Sequence, residues 1–238
     1  MKKYTLYILL LFLFGAINLK AQNTGYLGKH IILSLEGTFS GTSNFIKLHK
    51  KQFWLKYGGS AEFIVAKRLG LGFSILRSSP THIELNYKDY CYNYSGYDMA
   101  SNIYSIDLYL YNNEITAPIG KFMRFQISYF DNRISNLYSN GILKKGVDPY
   151  SCPEYNTHLY HNWNIGTNLF FGKRRILYDV LDISYGVQLG ITLFNGSLSE
   201  FNIYTSDNSI ISNIDTQAYT ENLFSYVIAL KVNIGFVL

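Results

Sequence analysis

The sequence predicts an all-β fold, namely an eight-stranded antiparallel up-and-down transmembrane β-barrel. Three observations predict it. Large apolar residues alternate with small or polar ones in eight segments, the links between these segments alternate between short and long, and only 16% of the 238 residues are charged. Soluble domains usually carry about 25% charged residues. Strands of alternating hydrophobicity, with short turns at one end and longer loops at the other, are typical of outer-membrane barrels.

The N-terminal segment is predicted to be a secretory signal and not part of the barrel. Lys2 and Lys3 precede an apolar run at residues 6–17, which is shorter than the roughly 20 residues that a membrane-spanning helix needs. Ala21 offers a cleavage position, so the predicted domains are a signal at residues 1–21 and a barrel at residues 22–238. The alternative is an uncleaved N-terminal anchor.

The first four predicted strands carry their large apolar residues on one face. Successive side chains of a strand point to opposite faces, so a period of two defines the faces. In the first strand, Leu33, Leu35 and Phe39 share one face, and Glu36 and Thr38 lie on the other. These four strands are predicted at residues 29–39, 53–65, 69–75 and 103–113.

The last four predicted strands repeat this alternation. In the seventh strand, every odd-numbered residue from Leu181 to Leu193 is apolar, and every even-numbered residue from Asp182 to Thr192 is small or polar. The four strands are predicted at residues 122–130, 162–171, 180–194 and 224–238.

The links between these strands predict which end of the barrel carries the large loops. An even number of strands places both termini at the short-turn end, which faces the periplasm in an outer-membrane barrel, and the long loops face outside. The short links are residues 66–68, 114–121 and 172–179. The long links are residues 40–52, 76–102, 131–161 and 195–221.

The apolar face is predicted to meet lipid. The opposite face consists mostly of Gly, Ser, Asn and Thr, and the interior of an eight-stranded barrel is only just wide enough for side chains. The alternative is an exported soluble barrel of the lipocalin kind, which would bury the apolar face and show a charged face to water. Aromatic residues near the strand ends favour the membrane interpretation; they are Phe53, Trp163, Phe171, Phe224, Tyr226 and Phe236.

Four acidic and three basic residues fall on the predicted interior face. A buried charge is costly unless it is paired, so these residues predict a salt-bridge network that plugs the barrel. A proton or ion path is the functional alternative. The seven residues are Glu36, Lys56, Glu62, Asp107, Arg124, Asp182 and Lys231.

The chain has two cysteines, Cys91 and Cys152, in the second and third predicted loops. A disulfide that joins these loops is one hypothesis, and free thiols or pairing with another molecule are the alternatives. Two cysteines exclude a four-cysteine zinc site. His158 and His161 have no evident third ligand, so we predict neither a metal nor a cofactor.

A tyrosine-rich stretch in the second predicted loop is a candidate recognition surface. Tyrosine with small polar neighbours is a favoured composition for recognition. The alternative is that these rings cap the mouth of the barrel and contact lipopolysaccharide sugars. The tyrosines are Tyr87, Tyr90, Tyr92, Tyr94 and Tyr97.

The signal, the eight strands and the Ala-Pro-Ile-Gly-Lys turn at residues 117–121 resemble the outer-membrane barrel proteins of Bacteroidota, of the OmpA-like or PorT-like kind. The last residues resemble the barrel-assembly signal at Lys231, Asn233, Phe236 and Leu238, with Asn233 where that pattern has glycine and leucine where many chains end in phenylalanine. The resemblance implies outer-membrane lipid, lipopolysaccharide and the barrel-assembly machinery as partners.

The predicted function is that of a non-enzymatic outer-membrane protein in binding, envelope integrity or assembly. The formal charge of +5 includes Lys2, Lys3 and Lys20 of the predicted signal, which leaves about +2, too little to indicate nucleic acid. Three alternatives remain: a lipid-modifying barrel enzyme of the lipid A deacylase type, a small-solute pore, and a soluble binding barrel. The sequence contains no His-x-Ser, Gly-x-Ser-x-Gly or Cys-x-x-Cys motif.

Overall fold

A single antiparallel sheet accounts for the strands of the computed structural model. The structure describes residues 28–41, 53–88, 93–112, 117–139, 160–197 and 227–238, together with Thr216 and Thr220. The strands are β1 (Ile31–Gly41), β2 (Phe53–Ala66), β3 (Leu69–Ser78), β4 (Thr81–Lys88), β5 (Asn93–Tyr111), β6 (Gly120–Ser139), β7 (Tyr160–Leu177), β8 (Leu181–Ser197) and β9 (Ile228–Val237). Among the described residues, no helix has the length and apolar character needed to cross a membrane.

The nine strands occupy eight positions of a closed barrel, because β3 and β4 share one position. β3 pairs with the second half of β5, and β4 pairs with the first half. The interruption falls at Ser79 and Pro80, and proline has no N–H group for the ladder. β9 pairs with β1 and closes the sheet. The predicted eight-stranded antiparallel up-and-down barrel is therefore confirmed.

The predicted alternation of side chains is also confirmed. Residues of β9 alternate between exposed and buried along its whole length. Chain neighbours differ in the same way, since Leu35 is 75% exposed beside Glu36 at 2%, and Ile106 is 70% exposed beside Asp107 at 0%. Large apolar side chains thus cover the outside of the barrel, and the polar and charged side chains point inside together with some aromatic and aliphatic ones.

Short turns lie at one end of the barrel, where the first strand begins and the last strand ends. The β7–β8 turn places Tyr178 and Asp179 in the left-handed region, with φ of 53° and 59°, as the two central residues of a type I′ turn require. At the same end, the amide of His30 donates to the carbonyl of Leu238 at 3.0 Å. This arrangement agrees with the predicted placement of the termini.

The predicted links at 76–102, 131–161 and 172–179 are wrong in part, because the structure shows strand at residues 76–78, 81–88, 93–102, 131–139, 160–161 and 172–177. Strands β4 to β7 extend into these segments. The extended parts carry polar residues such as Asn102, Asp131 and Arg133 on the outer face. The extent of backbone hydrogen bonding determines where a strand ends. The prediction relied on apolar alternation, which disappears where both faces are polar.

Candidate functional site

The centre of the barrel interior holds a buried ion cluster of four residues from four strands. Arg124 on β6 contacts the Glu36 carboxylate of β1 in a bidentate manner, with Nη1–Oε2 and Nη2–Oε1 distances of 3.0 and 3.2 Å. The Lys231 Nζ lies 2.5 Å from Glu36 Oε1, and Asp107 Oδ2 lies 3.7 Å from Arg124 Nη1. Bidentate arginine–carboxylate pairs fix geometry as well as contributing energy, so this cluster ties β1, β5, β6 and β9 together.

A second ion cluster lies closer to the short-turn end. The Arg174 Nη1 donates to Glu62 Oε2 at 2.7 Å, and Arg174 Nε lies 3.0 Å from Asp182 Oδ1. The Tyr111 hydroxyl donates to Glu62 and accepts from Arg174. Ser34 Oγ donates to the other Asp182 oxygen at 3.3 Å. This cluster links β1, β2, β5, β7 and β8.

Arg174 is the interior charged residue, among those that the structure describes, that the sequence prediction missed. It lies in the β7 extension, within the segment predicted to be a link. The two-residue alternation of this strand could have revealed it. The even-numbered residues from Asn162 to Asn168 face the interior, and Arg174 is also even-numbered. Three basic and four acidic residues were predicted inside. With Arg174, the described interior holds four basic and four acidic residues.

The structure places six of the seven predicted interior charges in these two clusters. The seventh, Lys56 on β2, is also buried, and its Nζ lies 5.4 Å from the centre of the Trp54 ring. Removing ions from water costs several kcal/mol each, and close opposite charges must compensate for it. The central cluster balances two bases with two acids, the second has one arginine and two acids, and with Lys56 the described interior holds four bases and four acids. This overall balance favours a structural role.

Aromatic rings pack around both clusters and occupy the interior near the short turns. Tyr109, Tyr111, Phe122 and Phe170 form a connected group with ring centres 5.5–6.4 Å apart. The Arg124 guanidinium lies 5.4 Å from the Phe170 ring, and that of Arg174 lies 5.0 Å from the Phe122 ring. Such cation–π contacts gain strength when the charge is desolvated. The interior at this end is thus a packed core of rings and ion pairs.

Towards the long-link end the interior holds hydrogen-bonded amides beside an apolar cluster of Leu76, Ile103 and Phe130. Asn132 Nδ2 donates to the side-chain oxygens of Asn162 and Asn164 at 2.7 and 2.5 Å. Nearer the centre, Gln126 Nε2 donates to Ser74 Oγ at 3.1 Å, and its Oε1 accepts from Asn168 at 2.7 Å. Apart from Lys56, the buried charges of the described interior therefore lie in the two ion clusters, at the centre and near the short-turn end.

The outside of the barrel carries an apolar belt with polar borders, and β6 shows its height. The outward residues between Lys121 and Asp131 are Met123, Phe125, Ile127 and Tyr129. At about 3.3 Å per residue, these ten steps cover about 33 Å of strand, or about 25 Å along the axis at a tilt of about 40°.

An aromatic row marks the upper border of the belt. Tyr129 lies between Tyr104 and Trp163, with ring centres 6.5 and 6.4 Å apart. Directly above it, Asp131 Oδ1 lies 3.4 Å from His161 Nδ1, and Asp131 Oδ2 lies 3.6 Å from Arg133 Nε. The border thus changes from rings to charges within two residues along the strand.

The tyrosine-rich segment is not the loop that the sequence predicted. Tyr87 lies on β4, and Tyr94 and Tyr97 lie on β5, because paired polar strands continue there beyond the belt. Tyr97 is fully buried inside the barrel. Tyr90 and Tyr92 lie outside the described residues.

Other predicted features lie partly or wholly outside the described residues. The signal at residues 1–21, the cysteines Cys91 and Cys152, and His158 fall there. Of the predicted assembly signal, Lys231 and Asn233 face inward, and Phe236 and Leu238 are exposed. No group of three His, Cys, Asp or Glu side chains in the described part of the chain could hold a metal ion.

These features define the chain as a closed eight-stranded barrel with a charge-paired interior and an apolar exterior. No family model matches the chain, and neither does any curated protein. Among solved structures, the chain is similar to CarO of Acinetobacter baumannii, with 12% sequence identity and a TM-score of 0.43 over 88% of this chain and 98% of that chain. The resemblance to the OmpA-like or PorT-like proteins of Bacteroidota stays a prediction.

Replacing Tyr111 with phenylalanine tests the second cluster. We expect Tyr111→Phe to lower the free energy of unfolding by about 1–3 kcal/mol, because Glu62 and Arg174 lose a buried hydrogen-bond partner. Urea unfolding of the barrel in lipid vesicles would measure the change. Tyr104→Phe on the outer face is the matched control, and equal effects of the two substitutions would contradict a role for the Tyr111 hydroxyl.

Proposed function

We propose that this protein is an outer-membrane β-barrel that spans the bilayer with its eight strand positions, with the short turns in the periplasm and the long links outside. The single observation that carries the proposal is the outer apolar belt, whose height of about 25 Å suits the hydrocarbon region that such barrels cross. Leaving a large apolar side chain in water costs roughly 1.5–3 kcal/mol. The exposed belt includes Leu33, Leu35, Phe63, Phe73, Ile106, Ile127, Ile191, Leu230, Ile234 and Phe236.

A soluble lipocalin-like barrel would need the opposite arrangement of faces. It would place the large apolar residues around an internal cavity and charges on the outside. Here Glu36, Asp107 and Arg124 are inside, and the belt side chains are outside. The distribution of side chains therefore favours lipid around the barrel.

We propose further that the role is non-enzymatic and non-conducting, in binding, envelope integrity or assembly. Two observations support this role: the described interior holds four acids and four bases, most of them in close ion pairs, and aromatic rings fill the interior beside them. Lipopolysaccharide at the upper border and the barrel-assembly machinery at the exposed Phe236 and Leu238 are the partners that fit the proposal.

The two tryptophans of the chain provide a test of the lipid-facing assignment. Trp163 lies in the outer aromatic row, whereas Trp54 is 1% exposed inside the barrel. Brominated phospholipid quenches tryptophan on contact. In vesicles of this lipid, we expect strong quenching of Trp54→Phe, whose remaining tryptophan is the outward Trp163. The fluorescence of Trp163→Phe, whose remaining tryptophan is the interior Trp54, should persist. Bromine near the glycerol end of the acyl chain should quench more than bromine near the bilayer centre, because the row lies at the border.

Folding of each variant is checked by the migration of unboiled and boiled samples in SDS gels. A barrel that stays folded in SDS migrates differently from the boiled chain. Recovery of the protein from the soluble periplasm, or quenching of Trp54 in place of Trp163, would overturn the proposal.

A further inference from the structure

Two lysines face each other on the outer surface at the short-turn border of the belt. Lys121 on β6 is the direct register partner of Lys173 on β7, and both side chains are exposed. Within the described residues, no ion pair or hydrogen bond engages either ammonium group. Like charges directly opposite each other destabilise a strand pair. The pair is therefore a position where an anion would stabilise the barrel.

An apolar groove of about 720 Å³ adjoins the lysine pair on the same face. One register step towards the belt centre, Met123 and Phe171 are partners on β6 and β7, flanked by Leu110 and Val187. The aromatic ring of Tyr185 lies beside Lys173 on the next strand. Cationic groups thus lie at the polar border, and an acyl-sized apolar surface begins immediately above them.

We propose that this surface binds a phospholipid with an anionic headgroup from the periplasmic leaflet. The phosphate and headgroup charge lie between Lys121 and Lys173, and an acyl chain lies in the groove against Met123 and Phe171. The inference rests on the proposed function, which places this border in the periplasmic leaflet. Charge complementarity selects an anionic lipid over a zwitterionic one, since each lysine near a membrane surface contributes about a factor of five in binding.

The test uses native mass spectrometry of the full barrel in detergent micelles, titrated with phosphatidylglycerol or phosphatidylethanolamine of the same chains. We expect the wild-type protein to retain phosphatidylglycerol preferentially. Lys121→Gln combined with Lys173→Gln should weaken that retention by about tenfold or more. The matched control, Lys67→Gln with Arg77→Gln, removes two exposed charges away from the groove and should retain the lipid as the wild type does.

A third variant tests the groove without changing charge. Val187→Trp fills part of the groove and should reduce phosphatidylglycerol retention while both lysines remain. Equal retention by the wild type and the lysine double variant, or an equal loss in the control variant, would overturn the site. Brominated-lipid quenching of the same variants reports membrane insertion separately. A barrel that inserts but shows no lipid preference refutes this inference alone. A barrel that does not insert refutes the proposed function.

Discussion

Replacing Arg124 with alanine is expected to lower the free energy of unfolding of the barrel by about 3–5 kcal/mol. The substitution leaves Glu36 and Asp107 buried, and Glu36 keeps only Lys231 as an ionic partner. Removing one partner of a buried pair is strongly destabilising because the remaining charge is uncompensated. Thermal or urea unfolding in vesicles, followed by circular dichroism, would measure the change.

Two further variants separate burial from charge. Arg133→Ala removes an arginine whose side chain is 52% exposed and lies 3.6 Å from Asp131, so its effect should stay within about 1 kcal/mol. Arg124→Lys retains the charge but loses the bidentate geometry, and its effect should fall between the other two.

The same Arg124→Ala variant tests whether the central cluster blocks ion flow. In planar bilayers we expect a higher conductance than for the wild-type barrel, because the guanidinium that fills the interior beside Phe170 is removed. If the variant changes neither stability nor conductance, the interior network is neither a structural tie nor a plug.

Replacing Gly235 with alanine is expected to cost about 3 kcal/mol or more of stability, at the upper end for overpacking a filled interior. Gly235 lies on β9 opposite Ser34 of β1, where the barrel closes. A Cβ atom there would lie against the Leu33 carbonyl oxygen and 2.6 Å from Ser34 Cα. Since backbone atoms cannot rotate away, the two strands must separate. Loss of the folded band in unboiled SDS gels would report the failure to close.

Gly37 provides the matched control on the same pair of strands. It lies on β1 opposite Val232 of β9, and the nearest atom to an added Cβ would be the Val232 carbonyl oxygen at 3.8 Å. Gly37→Ala should therefore be neutral or slightly stabilising, since alanine loses less backbone entropy than glycine. Equal behaviour of the two variants would show that the close approach at Gly235 does not limit closure.

The faces of the barrel could be predicted from the sequence because burial reverses at every residue. Leu35 and Glu36 illustrate this, since a strand that exposes one must bury the other. The interior position of seven charges followed from the same rule. Their division into two clusters did not follow, because it depends on the stagger between strands, which side-chain alternation does not determine.

The ends of the strands were predicted less well than their faces. Arg174 and Asp98 lie on strand extensions where the outer face is polar, so the hydrophobic contrast that reveals a strand is absent. The interruption at Ser79 and Pro80 also divides one barrel position into β3 and β4. Pairing with the long strand β5 holds these segments in place, and such pairing partners are not visible in a local pattern.

The unequal lengths of the strands give the barrel one tall side. β5, β6, β7 and β8 have 17 to 20 residues, whereas β1 and β9 have 11 and 10. On β6, the stretch from Asp131 to Ser139 adds about 25 Å of strand beyond the belt. A partner that binds this wall meets a backbone already fixed by ladder hydrogen bonds, so association avoids the ordering entropy of about 1–2 kcal/mol per residue that a flexible loop would lose. The backbone of this wall is therefore ordered before any contact is made.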